Sequence, residues 1–351
     1  MLPSGPVQGA ALEARRQNGE WAMIGWGIWG TGFISDTVAA AIQKSPGSRI
    51  AGVAGRDVTR TEEFRARFDG ERAHADAAAL LADPAVDIVY VGLPNHVHHE
   101  AVAAAAKAGK AVLSEKSLSV DMEKSQALVE AVAAHDTFFV EGLMYLAHPL
   151  IARFTEILRD GRLGSVKSIH ANYAADIWQV VNPAGRGTLY NLGCYPVSLL
   201  QLAVQTVAGE GAFADRVQTG TGVISAHDGN VAEAALAVRF GCGILATVQT
   251  AETYGMFPEF TVVGDRGSLR FLDNPWLPEA GSSRLLYTGF DGTGEEIVVD
   301  SDADAFVHQV RMVERSLAAG LRQAERPSPR PSDSIEIMQM LTGWEADIRR
   351  V

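Results

Sequence analysis

Residues 22–35 read AMIGWGIWGTGFIS, and this stretch decides how the first half of the chain is read. A short apolar run, Ala22–Ile28, leads into glycines at 27, 30 and 32, and Ser35–Gln43 then has the spacing of a helix that Pro46-Gly47 ends. Gly30-Thr31-Gly32-Phe33-Ile34-Ser35 fits the pattern G-x-G-x-x-small at the junction. In such a strand-to-helix turn the first glycine permits the tight bend and the second lets a pyrophosphate approach the backbone. A small third side chain lets the helix pack on the strand. The helix N-terminus adds unpaired N–H groups and the positive end of its dipole. Gly30, Thr31, Gly32, Phe33 and Ile34 are therefore the candidate dinucleotide cradle.

Outward from this turn, strand-sized apolar runs at Arg49–Ala54, Val86–Leu93, Lys110–Leu113 and Phe138–Val140 alternate with helix-sized stretches such as Glu100–Ala108 and Met122–His135. That rhythm predicts βαβ units in a doubly wound parallel sheet, a Rossmann-type α/β domain, over residues 22–142. Beyond Pro149 the rhythm changes. After helical stretches at Ile151–Asp160 and Leu189–Val207 come strand-like segments joined by short polar turns, among them Gln218–Ser225, Ala232–Phe240, Gly243–Thr250 and Glu259–Gly264. Residues 143–331 are expected to form an α+β domain with an open, mostly antiparallel sheet. A last helix over 332–351, capped by Ser332 or Asp333, is expected to pack back on the first domain. Residues 1–21 read as a tail.

Composition narrows the function. The 351 residues hold 30 basic and 42 acidic side chains, a formal charge of −12, and are 47% hydrophobic. That balance argues against nucleic acid or an anionic membrane as a partner, and no apolar run reaches the ~18 residues of a spanning helix. Cys194 and Cys242 are the only cysteines, too few for a disulfide framework, so a cytoplasmic location is expected.

The tip of the second strand reads Val53-Ala54-Gly55-Arg56-Asp57. An arginine here suits a ribose 2′-phosphate, whereas a carboxylate would suit a free 2′-hydroxyl. Arg56 thus favours NADP, with NAD possible. The ends of the third and fourth strands carry Leu93-Pro94-Asn95-His96-Val97-His98-His99 and Ser114-Glu115-Lys116-Ser117, on the edge where open α/β sheets bind ligands. Three histidines in four residues invite a metal reading, but no zinc-like spacing completes them. Exposed loop imidazoles are expected and no metal site.

At these residues the chain resembles the glucose–fructose oxidoreductase / inositol dehydrogenase / MocA family, in its branch of dimeric dihydrodiol dehydrogenases and NADP-dependent aldose dehydrogenases. The resemblance runs from about Gly25 to the C-terminus. It rests on GIWGTGFIS at 27–35, VAGRD at 53–57, ADPAVDIVYVGLPNHVHHE at 82–100, AGKAVLSEKS at 108–117, EGLMYLAHP at 141–149, GRLGSVKSI at 161–169 and LYNLGCYPV at 189–197. It implies an NAD(P)-dependent oxidoreductase that moves a hydride between a nicotinamide and a sugar, polyol or related cyclic alcohol or carbonyl. By the match, Lys116 and Tyr195 are the catalytic pair, and Pro94, Asn95, His98, Glu115 and Lys116 lie on the cofactor side. The family's Glu-Lys-Pro has Ser117 in place of its proline, and its Asp-x-Gly-x-[Tyr/His] has Asn191 in place of its aspartate.

The implied pair makes chemical sense. Carbonyl reduction needs a proton on oxygen as well as a hydride on carbon, and an ammonium beside a tyrosine lowers a pKa that is otherwise about 10. Tyr145, His148, Tyr173, Trp178, Arg186, Asn191 and Tyr254 are candidates for the substrate pocket between the domains. Relatives that hydrolyse glycosides by transient oxidation, and a dinucleotide-binding protein without turnover, are the alternative readings. An antiparallel sheet with one apolar face must cover it, and no run of helices in the second half reads as long enough to do so. A homodimer or homotetramer through that sheet is therefore expected.

Overall fold

The computed structural model describes residues 23–350, so the tail expected at 1–21 lies outside the described residues. The glycine-rich stretch opens as β1 (Ile24–Trp29), buried along nearly its whole length. It lies inside a six-stranded parallel sheet with β2 (Ser48–Ala54), β3 (Ala73–His74), β4 (Ile88–Val91), β5 (Ala111–Ser114) and β6 (Phe139–Glu141), in the order β3-β2-β1-β4-β5-β6. Strand order reverses between β1 and β4, which leaves a crevice at their carboxyl ends. The apolar run predicted at Val86–Leu93 becomes β4, Ile-Val-Tyr-Val, with every residue buried because helices cover both faces. The connecting helices include α1 (Phe33–Gln43), α2 (Val58–Arg67), α3 (Ala77–Ala82), α4 (His98–Lys107) and α5 (Met122–Ala134).

The second half opens with α6 (Pro149–Arg159) and β7 (Val166–Ala174), followed by α7 (Cys194–Ala208). Seven further strands are β8 (Arg216–Ile224), β9 (Val231–Phe240), β10 (Leu245–Ala251), β11 (Phe257–Gly264), β12 (Gly267–Phe271), β13 (Gly281–Gly289) and β14 (Gly294–Ser301). They join β7 in the order β14-β13-β12-β11-β7-β10-β9-β8. All neighbours are antiparallel except β7 and β10. Sequence reading misses the hairpin β13–β14. Its glutamates and serines hide the alternation, although the turn Phe290-Asp291-Gly292-Thr293 between them carries a hairpin signal. The chain then runs through α8 (Ala305–Ala318) to α9 (Pro331–Arg349).

Two expectations are corrected here. The apolar face of the sheet is covered by the chain's own helices. Gly220 and Gly222 leave no Cβ in the way, so Trp344 and Ile348 of α9 lie flat on β8, and Trp344 donates Nε1–H to Ala235 O at 3.0 Å. The last helix packs on α5 and β6 of the first domain and on β8 and α7 of the second. Its cap also differs from expectation. Arg330 precedes the helix, Pro331 opens it, and Asp333 in the first turn accepts the Arg330 backbone N–H at 3.0 Å.

Candidate functional site

The glycine turn is shaped by contacts that only glycine allows. Gly30 has φ +112°, and a Cβ there would stand 2.5 Å from the Gly92 carbonyl oxygen at the end of β4. A Cβ on Gly32 would meet nothing within 4 Å, so this side is open for a ligand. Gly32 caps α1 without a side-chain acceptor, and the first-turn N–H groups of Phe33 and Ile34 receive none from the described residues. These are the features a pyrophosphate requires, and the residues present fit a dinucleotide. Phe33, 87% exposed, stands beside the turn.

At the β2 tip Arg56 is exposed. Asp57 is spent on structure: it caps α2, accepting the Arg60 N–H at 3.0 Å. Arg60, which sequence reading passed over, folds back and donates to Thr31 O at 3.1 Å. Its signal was its place one helical turn beyond Arg56.

The β4 and β5 ends meet through His98. Its ring is fully buried, with Nε2 2.7 Å from Leu93 O and Nδ1 2.9 Å from Ser117 O. Burial holds its pKa down to about 4. Neither the exposed imidazole expected of this loop nor a surface on the nicotinamide, His98 instead fastens the two loops together. Pro94 remains exposed, and Asn95 donates Nδ2–H to Gly185 O at 3.3 Å across the cleft. Among the described residues no group of three or more His, Cys, Asp or Glu stands close enough to hold a metal.

Glu115 is buried behind the β5 end. It accepts the Tyr90 hydroxyl at 3.0 Å and the Lys116 N–H at 3.2 Å, and burial raises its pKa. Lys116 reaches across to the π-type turn Leu189–Gly193 that precedes α7 and donates Nζ–H to Asn191 O at 2.5 Å. Ser117, in the family's proline position, donates its hydroxyl to Tyr190 O at 2.7 Å. Lys116 Nζ also lies 4.9 Å from the centre of the Tyr195 ring. The two residues that sequence reading paired from 79 positions apart are thus neighbours.

Their geometry corrects the expected electrostatics. The ammonium faces the tyrosine ring, while the hydroxyl contacts Met144 Sδ at 3.9 Å. Burial, with Cys194 and Tyr173 nearby, drives the Tyr195 pKa well above its ordinary value. The phenol stays protonated at neutral pH.

The substrate candidates divide. Tyr173 packs edge-on against Tyr195, with ring centres 5.4 Å apart, and Asn191 lines the same turn. Tyr145 is fully buried, its hydroxyl bonded to Ser198 Oγ at 2.7 Å, so it supports Tyr195 from behind. Arg186 is a brace, donating to Val120 O and to Glu345 Oε1 at 2.9 Å each. Trp178, 43% exposed, sits on a rim against His227, and Tyr254 is also exposed. His148 lies elsewhere: it caps α6 and packs on His308.

The family model described as an oxidoreductase family with an NAD-binding Rossmann fold matches residues 24–142, and the model of the GFO/IDH/MocA C-terminal domain matches 151–270. An uncharacterised oxidoreductase of Rhizobium meliloti is 32% identical over 186 residues, 51% of this chain and 56% of that one. The trans-1,2-dihydrobenzene-1,2-diol dehydrogenase of Danio rerio is 25% identical over 311 residues, 86% of this chain and 91% of that one. Among solved structures, a 3-ketoreductase of Actinomadura kijaniata in complex with NADP and TDP-benzene superposes with TM-score 0.81 at 23% identity, covering 93% of this chain and 98% of the other.

Proposed function

The chain belongs to the GFO/IDH/MocA family of NAD(P)-binding oxidoreductases, and on that premise we propose that it interconverts a neutral sugar, polyol or cyclic diol with its carbonyl form, using NADP in preference to NAD. The observation that carries this reading is the approach of Lys116 to Tyr195 at the mouth of the dinucleotide crevice. Bound there, the nicotinamide supplies or accepts the hydride. Gly30, Gly32 and the start of α1 would hold its pyrophosphate, and Arg56, with Arg60 bonded to Thr31 O nearby, would meet a 2′-phosphate.

In the reductive direction Tyr195, kept protonated by burial, gives its proton to the carbonyl oxygen while Lys116 stabilises the developing negative charge. In oxidation the same groups take the proton back. Tyr173 packs against the proton donor, and the Asn191 side chain, bonded to Glu252 Oε2, offers a polar group from the turn that precedes α7.

The open face of the second sheet supports self-association, although it is not the apolar face first expected. Its cross-strand ladders are polar, with His170 bonded to Thr247 and Asn172 to Gln249. Val217, Leu245 and Phe257, each at least half exposed, flank them. A homodimer or tetramer through this face is proposed, to be read by light scattering. Among the described residues no helix is long and apolar enough to cross a membrane. The free thiols of Cys194 and Cys242 fit the proposed cytoplasmic location.

The test is a spectrophotometric panel: NADP+ and NAD+ with D-glucose, D-xylose, myo-inositol and trans-cyclohexane-1,2-diol, and NADPH with their carbonyl counterparts. Cofactor-dependent turnover of at least one class is expected. Tight cofactor binding with no turnover across the panel would refute the reading.

A further inference from the structure

The turn Leu189–Gly193 makes a contact that proton transfer does not use. Asn191 donates Nδ2–H to Glu252 Oε2 at 2.8 Å. Glu252, just past the end of β10, is 3% exposed. Its main chain is pinned, with N–H on Ala232 O at 3.0 Å and its carbonyl accepting the N–H groups of Ile177 and Trp178 at 3.1 Å. The Asn191 amide is the one group among the described residues that hydrogen-bonds its carboxylate. The other group facing it is Asp228, whose like charge adds to burial in raising the Glu252 pKa. A carboxylate can accept about four hydrogen bonds. Burying one with a single donor is costly, and a donor on a ligand would offset that cost.

The contact also fixes the neighbouring amide. A carboxylate has no hydrogen to give, so Asn191 must turn its NH2 toward Glu252 and its Oδ1 away. Oδ1 lies toward Gly185 and Asn95: a Cβ on Gly185 would meet Asn95 Oδ1 at 3.1 Å and Asn191 Oδ1 at 3.3 Å. The main-chain oxygen of Asn191 meanwhile holds Lys116 Nζ. An aspartate at 191, as in the family motif, would set two carboxylates in contact and force one to protonate. Asn191 and Glu252 therefore form a unit.

We propose that Glu252 sets the polarity of the substrate site. It holds Asn191 so that an acceptor faces the cleft, and the two residues select a substrate with a hydroxyl or other donor beside the reacting carbon, neutral or cationic and not acidic. The inference rests on the oxidoreductase reading above. Gln at 252 leaves either amide orientation possible, so the selection is lost without a change in shape.

The experiment compares kcat and KM for trans-cyclohexane-1,2-diol against cyclohexanol and for D-glucose against 2-deoxy-D-glucose. The parent is expected to favour the vicinally hydroxylated member by about 10²-fold or more in kcat/KM. Glu252→Gln should bring that ratio within about tenfold, mainly through KM. The double variant N191D/E252Q, which restores a carboxylate–amide pair with an acceptor toward the cleft, should recover most of it. An unchanged ratio in Glu252→Gln overturns the proposal.

A second readout needs no turnover. In NADPH-loaded protein labelled with 15N-asparagine, the Asn191 side-chain amide signal, assigned with Asn191→Leu, should shift on adding myo-inositol and not on adding D-gluconate. No shift, or the same shift with both, overturns the proposal. If the amide responds as expected while no alcohol is oxidised, the polarity assignment stands and the oxidoreductase reading falls.

Discussion

At Gly30–Phe33 the backbone makes the proposed ligand surface, whereas at Leu189–Tyr195 side chains make it. The first wall is a strand-to-helix turn with a positive φ at Gly30 and open space at Gly32. Its function follows from having no side chains in the way. The second wall is a π-type turn whose residues are tied outward: Lys116 to Asn191 O, Ser117 to Tyr190 O, Asn191 to Glu252 and the Tyr190 hydroxyl to Glu345. A backbone cradle tolerates many neighbours. A side-chain wall holds its geometry only while each partner is present, so the two should break in different ways.

The largest expected effect lies on the side-chain wall. Tyr195→Phe should lower kcat by about 10²–10⁴-fold and leave NADPH affinity, read by calorimetry, unchanged. Because burial holds the Tyr195 pKa well above its ordinary value, the parental rate of reduction should stay level through neutrality as far as this group decides it. A loss centred near pH 7 would assign the proton to another group.

Beside the backbone wall, at the tip of β2, the expected losses are in binding. Arg56→Ala should weaken NADPH by about 10–100-fold, the size of a lost charge-assisted hydrogen bond, and leave NADH unchanged. Equal affinities for the two cofactors in the parent would remove the NADP preference.

Stability separates the two glycines. Gly30→Ala must strain φ and push the new Cβ into Gly92, and should cost about 1–3 kcal/mol in urea unfolding. Gly32→Ala has free space and φ −84°, so it should unfold like the parent while its dinucleotide affinity falls. Equal stabilities for the two variants would erase the distinction.

A pH-dependent effect lies beneath both walls. Glu141, at the β6 end near Glu115 and Lys116, is fully buried, and burial raises its carboxyl pKa to about 7. The folded state thus binds this proton more tightly than the unfolded one. The associated stability is present below pH ~4.5 and lost as pH rises through about 7. Glu141→Gln should lie close to the parent at pH 5 and exceed it at pH 8 by about 3 kcal/mol. No gain at pH 8 would show that the carboxylate finds compensation when charged.

The sequence by itself determined the Rossmann half and the glycine turn, and its resemblance to the family pointed to Lys116 and Tyr195, which the fold makes neighbours. Buried parallel strands write themselves as short apolar runs, and a turn that must admit a phosphate needs glycine at fixed spacing, so both signals are local. The pair was legible only through the order of motifs, because nothing within a few residues of Lys116 marks Tyr195. Tertiary structure decided the rest. Histidine 98 reads like any loop imidazole until Leu93 O and Ser117 O close on its ring. Arg186 and His148 look like polar lining until Glu345 and His308 engage them. Trp344 covers a sheet more than a hundred residues away because Gly220 leaves room for it. The ammonium at Lys116 was expected to lower the tyrosine pKa, but it lies on the ring face, and burial governs the hydroxyl. Each of these depends on which groups meet in space and how much water they lose, and neither quantity is written in the spacing of residues along the chain.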